Sequence, residues 1–426
     1  TDSGTAVIDF YIFPLGLATT SAIEEIAAEF NRSQTAVQVH VTNQILPGAN
    51  GFFSIEQMAD QFDCFSALPL LPEHTALVYS LTPLLAADET GLADDFYPNL
   101  LAQFTVEGEL YGLPINVSPT IVYYNAELLA AKGIAPPDLN WELADLLTLA
   151  SQSIDPDAGV THGVVPFQGD IVSWFLAEQG VYPYDVSANP PTVNFDDPNI
   201  LNALVLLVQL HNNGVVYQEL GLGSQEWNDN YNLQEQLVVS GHAPFWGDVA
   251  GLHGGFVEGE IPEFVQPAAM PVFNGRIAPP STTGLYISRQ TADPQACWDW
   301  LTFLSGQPAA PRSVPARISV AESAAWETVV GVENAAVFRT SLARHAAQSR
   351  VQTPSTINTF PLSRWWADLL NAAYAGEPIE PLLAAAQQKG QAYVACMSEL
   401  TTPTLEQMDA CAKEADPEYK TLQELR

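Results

Sequence analysis

The chain has 426 residues, more than one hydrophobic core normally accommodates, which predicts two bodies of roughly 200 residues each. A hydrophobic fraction of 47% excludes global disorder, and no run of about 18 apolar residues is present that could span a membrane. The 49 acidic and 14 basic residues give a formal charge of −35, which repels nucleic-acid phosphates and anionic lipids, so neither is expected as a partner.

The N-terminal part alternates strand and helix patterns. Ala6–Phe13 is rich in β-forming residues and stops at Pro14. Ser21 and Glu24 have the spacing of a capping box, which predicts that a helix begins there, and Val37–Val41 follows as an alternating strand. Strand, helix and strand in this order favour an α/β sheet with parallel strands.

The stretch Gly108–Asn125 is the centre of the predicted organisation. Its extended run is broken at Gly112 and Pro114 and resumes at Ile121–Tyr124. A strand that stops and restarts in this way is typical of a chain leaving one compact body for another. Further patterns predict helices at 126–132 and 141–151 and after Asp197 and Asp293.

The four cysteines have two different settings. Cys396 and Cys411 lie in a polar, turn-rich stretch, and a disulfide across a loop of about 15 residues would add roughly 3 kcal/mol of stability. Cys64 lies in an apolar strand and Cys297 on the apolar face of a helix, where free cysteine behaves as a small hydrophobe. We therefore expect a Cys396–Cys411 disulfide and two thiols.

Several motifs together resemble a known family. The sequence Gly-Glu-Leu-Tyr-Gly-Leu-Pro from Gly108, followed by Tyr-Tyr-Asn and by Trp141, resembles the extracellular solute-binding proteins of ABC importers. The similarity is greatest to the sugar-binding branch that includes the maltodextrin binders. Five other segments match motifs of that family, namely 62–68, 241–248, 282–288, 312–319 and 363–366.

The resemblance implies a fold and its division into domains. The expected fold is α/β, the two-lobed periplasmic-binding-protein type II fold, in which each lobe is a mostly parallel sheet flanked by helices. Three hinge crossings would join the lobes, at about Leu113–Ser118, Pro267–Phe273 and Arg312–Ser319. The expected lobes are 1–115 with 270–313, and 116–269 with 314–426, where 391–426 extends past the usual end of the family.

The resemblance also implies a ligand site in a cleft between the lobes. Sugar sites combine flat aromatic faces with polar side chains that bond hydroxyls. The matched motifs place these candidates at the site: Phe13, Asp63, Ser66, Asn116, Ser118, Asp170, Trp174, Trp227, Trp246, Asp248, Thr283 and Trp366. A core position is the alternative for the tryptophans, a strand-end cap for Asp63 and a turn for Asp248. Arg317 is expected to pair with an acidic side chain instead of ligand.

The expected function is that of the substrate-binding subunit of an ABC importer for a mono- or oligosaccharide. The protein would be no enzyme, need no cofactor or metal, act as a monomer and deliver its sugar to membrane permease subunits. Thr1 is followed by no export signal, so we expect a mature extracellular or periplasmic chain, free or lipid-anchored. Two alternatives are a binding protein for a cationic, polyamine-like solute and, from another class, a glycoside hydrolase. The sequence has none of the common hydrolase or nucleotide-binding motifs.

Overall fold

The computed structural model describes most of the chain. The described residues are 5–13, 16–43, 53–97, 100–166, 171–186, 188, 190–218, 225–251, 261–275, 280–348, 357–400, 403–421 and 424, with the backbone alone at 73, 225–228 and 348. Within these ranges no helix is both long enough and apolar enough to cross a lipid bilayer.

The chain forms fourteen named strands and fifteen α-helices within the described residues. The strands are β1 (Ala6–Tyr11), β2 (Val37–Thr42), β3 (Cys64–Ala67), β4 (Thr105–Val106), β5 (Glu109–Leu110), β6 (Leu113–Ser118), β7 (Thr120–Asn125), β8 (Val164–Val165), β9 (Tyr184–Asp185), β10 (Thr192–Val193), β11 (Phe245–Val249), β12 (Val265–Ala268), β13 (Ser281–Ile287) and β14 (Val314–Pro315). The helices are α1 (Thr20–Ser33), α2 (Ile55–Gln61), α3 (Thr82–Ala87), α4 (Ala126–Ala131), α5 (Leu143–Ser153), α6 (Ile171–Glu178), α7 (Pro198–Asn212), α8 (Gln225–Val239), α9 (Pro294–Ser305), α10 (Ile318–Ala321), α11 (Ala324–Val330), α12 (Val332–Gln348), α13 (Phe360–Tyr374), α14 (Ile379–Ser398) and α15 (Leu405–Ala415).

These elements form two compact units. The first unit comprises Thr1–Pro119, Ala250–Leu252 and Pro280–Ala346, and the second comprises Thr120–Val249, His253–Pro279 and Ala347–Arg426. The sequence-based boundaries differ from this division at residues 116–119, 250–252 and 314–346, which belong to the first unit, and at 270–279, which belong to the second. The largest difference is at 314–346. The reason is that β14 pairs with β6, with Val314 opposite Val117, so the segment after Arg312 completes the first sheet.

The first unit is built on a six-stranded sheet with the order β14-β6-β13-β3-β1-β2. β1 is parallel to β2 and β3, whereas β13 is antiparallel to β3 and β6, and β14 is antiparallel to β6. The expectation of a mostly parallel sheet is therefore wrong, and the sheet is mixed. β6 leaves the unit next to the point at which β13 re-enters it, with Ser118 opposite Ser281, so these two strands must run in opposite directions.

The second unit has a four-stranded sheet with the order β12-β7-β11-β8, in which only β8 and β11 are parallel. The antiparallel pairing of β7 and β11 has the same cause as that of β6 and β13 in the first sheet. β7 enters the unit where β11 leaves it, with Thr120 opposite Val249. Helices α5, α6, α7, α13 and α14 contribute buried side chains to one hydrophobic core, which includes Trp174 and Phe245.

Helix α1 shows how local sequence produces these elements. Its residues Ile23, Ile26 and Phe30 recur at helical spacing and are buried. The helix begins earlier than the Ser21 capping box indicates, because the Thr19 side chain accepts a hydrogen bond from the backbone N–H of Ala22 and caps it.

All four cysteines are in disulfides. Cys396 and Cys411 join α14 to α15, with their Cα atoms 5.7 Å apart. Cys64 of β3 is bonded to Cys297 of α9, with a Cα separation of 6.1 Å, so the expectation that these two remain thiols is wrong. Both residues are fully buried in the same apolar interior, and their separation lies within the Cα range of about 4.4–6.8 Å that disulfides require.

Candidate functional site

The carboxyl ends of β1, β3 and β6 meet at one edge of the first sheet. β3 and β6 run in the same direction because both are antiparallel to β13, which lies between them. The strand order also reverses at β1, since β2 lies on one side of β1 and β3 on the other. Ligands in α/β sheets bind outside the carboxyl ends at such a switch point. We call this the carboxyl edge, defined by Phe13, Ser66, Asn116, Ser118 and Thr283.

Two of these predicted residues meet between β1 and β3. The backbone N–H of Phe13, just beyond the end of β1, donates to the Ser66 hydroxyl over 2.8 Å. The Ser66 side chain is completely buried, whereas Phe13 keeps part of its surface exposed. The hydrogen bond therefore holds Phe13 in place at the switch point.

The other three residues form a second hydrogen-bonded group. The Asn116 amide nitrogen donates to the Ser118 hydroxyl over 2.8 Å, and its amide oxygen accepts from the Thr283 backbone N–H over 2.8 Å. The pairing of β6 and β13 shifts register at Thr283, which leaves Ile115 as an extra residue in the ladder. A bulge of this kind redirects side chains and is common beside functional sites. The periodicity of the two strand sequences does not predict this bulge, because the bulge depends on how the strands pair in the folded protein.

Gly16 packs directly against this group. Its backbone has φ +92°, and a Cβ atom there would lie 2.1 Å from Thr283 Oγ1 and 3.0 Å from Asn116 Oδ1. Only glycine can therefore bring the chain after β1 this close to the carboxyl edge. The Gly16 carbonyl also accepts a hydrogen bond of 3.0 Å from the backbone N–H of Arg312.

Arg312 is the functional candidate that sequence reasoning missed. Its backbone is joined to Gly16, and the next residue donates from the Ser313 hydroxyl to the Val117 carbonyl, so the segment lies beside the end of β6. Its Nε is buried and has no hydrogen-bond partner among the described residues. The signal available in the sequence was the rarity of basic residues, 14 in a chain with 49 acidic ones.

Asp63 is not at the carboxyl edge. It precedes β3 and so lies at the opposite end of the sheet from Ser66. Its carboxylate accepts from the Asp9 backbone N–H over 3.0 Å and from the Thr291 hydroxyl over 2.7 Å. The expected ligand role is corrected to the strand-end cap, because the strand begins at Cys64, directly after this residue.

In the second unit, Trp174 and Trp246 are interior residues. Trp174 belongs to the hydrophobic core and packs on Phe273, with ring centroids 5.7 Å apart. Trp246 is 0% exposed and stacks on Tyr123 at 5.8 Å. Rings without accessible surface offer no face to a sugar, so the expected contact of these two with ligand is not supported. Asp248, on the same strand as Trp246, is also fully buried, and its carboxylate accepts from the Val249 N–H.

The adjacent tryptophans of α13 have different environments. Trp365 is buried, and its indole N–H donates to Asp416 over 2.8 Å. Trp366 is only partly buried and stacks on Phe195, with ring centroids 5.9 Å apart and planes 11° from parallel. Since Trp366 is not fully buried, its predicted stacking on a ligand stays a prediction.

The remaining sequence candidates have varied outcomes. Asp170 lies outside the described residues, and of Trp227 only the backbone, in α8, is described. The expected pairing of Arg317 is confirmed, because its Nε lies 2.7 Å from an Asp95 carboxylate oxygen. Burial raises the pKa of Asp95, but hydrogen bonds from Ser319 and Arg317 outweigh it, so the pKa of this carboxyl is lowered. No three His, Cys, Asp or Glu side chains in the described ranges come together to hold a metal.

Comparison with protein families decides the identity. The sequence profile of bacterial extracellular solute-binding proteins matches residues 17–311, which is more than half of the chain. The protein is a bacterial extracellular solute-binding protein. This family consists of binding proteins and not of enzymes. No curated protein matches this solute-binding protein in sequence.

Solved structures agree with the family assignment. The protein is similar to an ABC substrate-binding protein of Listeria monocytogenes in complex with cycloalternan, with TM-score 0.68 and 16% identity over 90% of this chain and 97% of the other. The GacH receptor of Streptomyces glaucescens, solved unliganded and with acarbose, gives TM-score 0.67 and 16% identity over 98% and 100%. Maltose-bound MalE3 of T. maritima gives 0.65 and 18% over 91% and 99%. The expected α/β fold of two-lobed solute-binding proteins is thereby confirmed, while the number of hinge crossings stays a prediction.

Proposed function

We propose that this solute-binding protein captures a mono- or oligosaccharide and delivers it to the permease subunits of an ABC importer. The observation that carries the proposal is structural similarity over at least 90% of the chain to proteins solved with cycloalternan, acarbose and maltose. The chemistry of the carboxyl edge supports it, because an aromatic ring at Phe13 beside hydroxyl and amide groups suits the faces and hydroxyls of a sugar.

The proposed mechanism is capture, without catalysis. Ligand would be held from both lobes, with Phe13 acting from the first and Trp366 from the second. A ligand that contacts both lobes binds the closed form better than the open one and shifts the population toward closure. The closed form would then be presented to the permease on the extracellular side of the membrane.

The remaining parts of the proposal concern partners and location. We propose a monomeric protein without cofactor, exported from the cell and either free or lipid-anchored. The charge of −35 opposes binding to nucleic acid, since both surfaces would be negative. The cationic-solute alternative is weakened because Asp63, one of the candidate carboxylates, already accepts hydrogen bonds from the Asp9 backbone N–H and the Thr291 hydroxyl. A hydrolase would need a pair of carboxylates, and the carboxyl edge as defined contains none.

A thermal-shift panel of sugars, polyols and polyamines tests this function on the intact protein. A sugar at 100 times its dissociation constant should stabilise the protein by about 2.7 kcal/mol. The control is the same protein melted in the same buffer without an added solute. Stabilisation by polyamines alone would contradict the proposal, and hydrolysis of a tightly bound oligosaccharide would contradict its non-enzymatic part.

A further inference from the structure

An open groove of about 280 Å³ lies in the second unit. The described residues that line it are Thr161, Tyr217, Leu233, Gln236, Leu237 and Ser240. All six are uncharged, although the chain has 49 acidic and 14 basic residues. The volume is close to the roughly 300 Å³ at which small-molecule sites begin, so the groove can accept one ring-sized molecule. Its uncharged lining favours a neutral molecule over an ion, because an ion removed from water needs a charged partner.

One wall of the groove is a single face of α8. Leu233, Gln236 and Leu237 follow one another at spacings of three and four residues, and Ser240 continues the series directly after the helix. Leu233 keeps 50% of its surface exposed, and Leu237 is half-buried beside it. The wall is therefore an apolar strip with an amide and a hydroxyl along it.

The groove also contains an aromatic residue, Tyr217, which is fixed to both β8 and α8. Its backbone N–H donates to the Val164 carbonyl of β8 over 2.8 Å. The carbonyl of the next residue, Gln218, accepts from the side-chain amides of Asn230 and Gln234 of α8, over 3.3 and 3.1 Å. These bonds set the position of Tyr217 relative to the helix, so the groove is formed before any ligand arrives, as small-molecule sites usually are.

Two hydroxyls of the groove are each hydrogen-bonded to a histidine. Thr161 Oγ1 lies 3.0 Å from His162 Nδ1, and Ser240 Oγ lies 2.7 Å from His242 Nδ1. Burial raises the pKa of Tyr217, so its phenol stays protonated and uncharged. The groove thus combines an aromatic ring, two leucines and neutral hydrogen-bonding groups.

This groove lies away from the place where the chain passes to the first unit. Thr161 precedes β8 and Ser240 precedes β11, and these two strands are parallel, so the groove is at their amino ends. The chain leaves the unit after Val249, at the carboxyl end of β11. None of the described residues that line the groove belongs to the carboxyl edge or to α13, which carries Trp366.

We propose that the groove is an accessory saccharide site, which binds one uncharged sugar ring packed against Tyr217 and Leu233. A sugar ring has apolar C–H faces and a rim of hydroxyls. The aromatic and leucine side chains match its faces, and the amide and hydroxyl groups match its rim. The site is additional to the ligand site of the proposed function and does not depend on it.

The test follows leucine and valine methyl groups by NMR while the intact protein is titrated with glucose, galactose or maltotriose. The signals of Leu233 and Leu237 should shift with at least one of these sugars, in a titration separate from that of the tighter site. Tyr217→Ala should weaken this titration about tenfold, because the aromatic contact is lost. Leu233→Ala, followed through Leu237, should weaken it about threefold.

Val239→Ala is the matched control. Val239 is likewise an apolar residue of α8 with 47% of its surface exposed, but it does not line the groove. This variant should leave the titration unchanged. Because Leu233 is half exposed, Leu233→Ala keeps the inference testable even where Tyr217→Ala fails to fold.

The outcomes separate this inference from the proposed function. No shift of Leu233 and Leu237 with any of the three sugars, together with tight binding elsewhere, refutes the groove and leaves the proposed function intact. A titration that is unchanged in Tyr217→Ala and Leu233→Ala refutes the position of the site. Shifts that follow protein concentration without sugar would assign the groove to a second copy of the chain and overturn the inference. Groove binding in a protein that binds no sugar elsewhere would support the inference and contradict the proposed function.

Discussion

Gly16 lies where the chain must come close to Thr283, so its substitution should be more harmful than that of an ordinary glycine. In Gly16→Ala the new Cβ would lie 2.1 Å from Thr283 Oγ1, in addition to the strain of φ +92°. We expect a loss of at least about 2 kcal/mol of unfolding free energy, from overpacking and left-handed strain together. Denaturant unfolding followed by tryptophan fluorescence measures this.

Gly91→Ala is the control for that experiment. Gly91 is in the same unit and has φ +79°, but no atom lies within 4 Å of the position that a Cβ would take there. It should therefore lose only the strain contribution, about 1 kcal/mol. Equal losses in the two variants would show that the close approach to Thr283 is unimportant.

The two neighbouring tryptophans of α13 should separate binding from stability. Trp366→Ala should weaken sugar binding by about 0.5–1.5 kcal/mol, since one stacked face is lost. Trp365→Ala should instead lower the unfolding free energy by about 3–5 kcal/mol, because Trp365 is buried and bonded to Asp416. Calorimetric affinity and thermal melting are measured for both. A Trp366→Ala variant with unchanged affinity and a sharply reduced melting temperature would make this residue a core residue only.

At the scale of elements, the carboxyl edge exists because strands from distant parts of the sequence meet there. β6 and β13 are adjacent and antiparallel although the chain between Ser118 and Ser281 forms most of the second unit. The bulge at Thr283 then joins the side chain of Asn116 to the backbone of β13. A site made in this way is held by the rigid sheet, which favours precise positioning of ligand groups.

The two disulfides should stabilise their units by different amounts. The Cys64–Cys297 bond closes a loop of 233 residues, and Cys396–Cys411 closes one of 15. Loop-closure entropy predicts losses of about 5 kcal/mol and about 3 kcal/mol when each pair is replaced by alanine. Denaturant unfolding of the two double variants checks the order. Mass mapping of the non-reduced protein supplies the control, and a free thiol at Cys64 would contradict the first value.

At the scale of the whole molecule, the proposed function requires a change of shape on binding. A ligand with equal affinity for the open and closed forms shifts no population, so it could not signal occupancy to a permease. We therefore expect the radius of gyration to fall when a saturating sugar is added. Small-angle scattering with and without the sugar measures the change, and a non-binding sugar alcohol is the control. An unchanged radius, with tight binding shown by calorimetry, would contradict the closing mechanism.

The sequence by itself determined the local features of this protein. The Asp197 and Asp293 caps of α7 and α9 and the buried face of α1 follow from residues only a few positions apart. Length was enough to predict two bodies, and the alternation of strand and helix patterns was enough to predict α/β structure. The family could be recognised because several of its motifs occur in the expected order along the chain. Overall identity to the solved structures is only 16–18%, which by itself shows no more than the fold.

Only the tertiary structure decided the features that depend on distant residues. Cys64 has its partner 233 residues away, and the sequence contains no local sign of that approach. Asp63 lies one residue before the start of β3. Its carboxylate is therefore at the opposite end of the sheet from the carboxyl edge, where it bonds the Asp9 backbone N–H. Which of Trp365 and Trp366 is buried follows from packing against Tyr393 and Tyr419, with which the buried Trp365 forms edge contacts. Arg312 Nε has no hydrogen-bond partner among the described residues, and only the tertiary structure shows this. Charge pairing depends on the distance between two groups and not on their separation in the sequence.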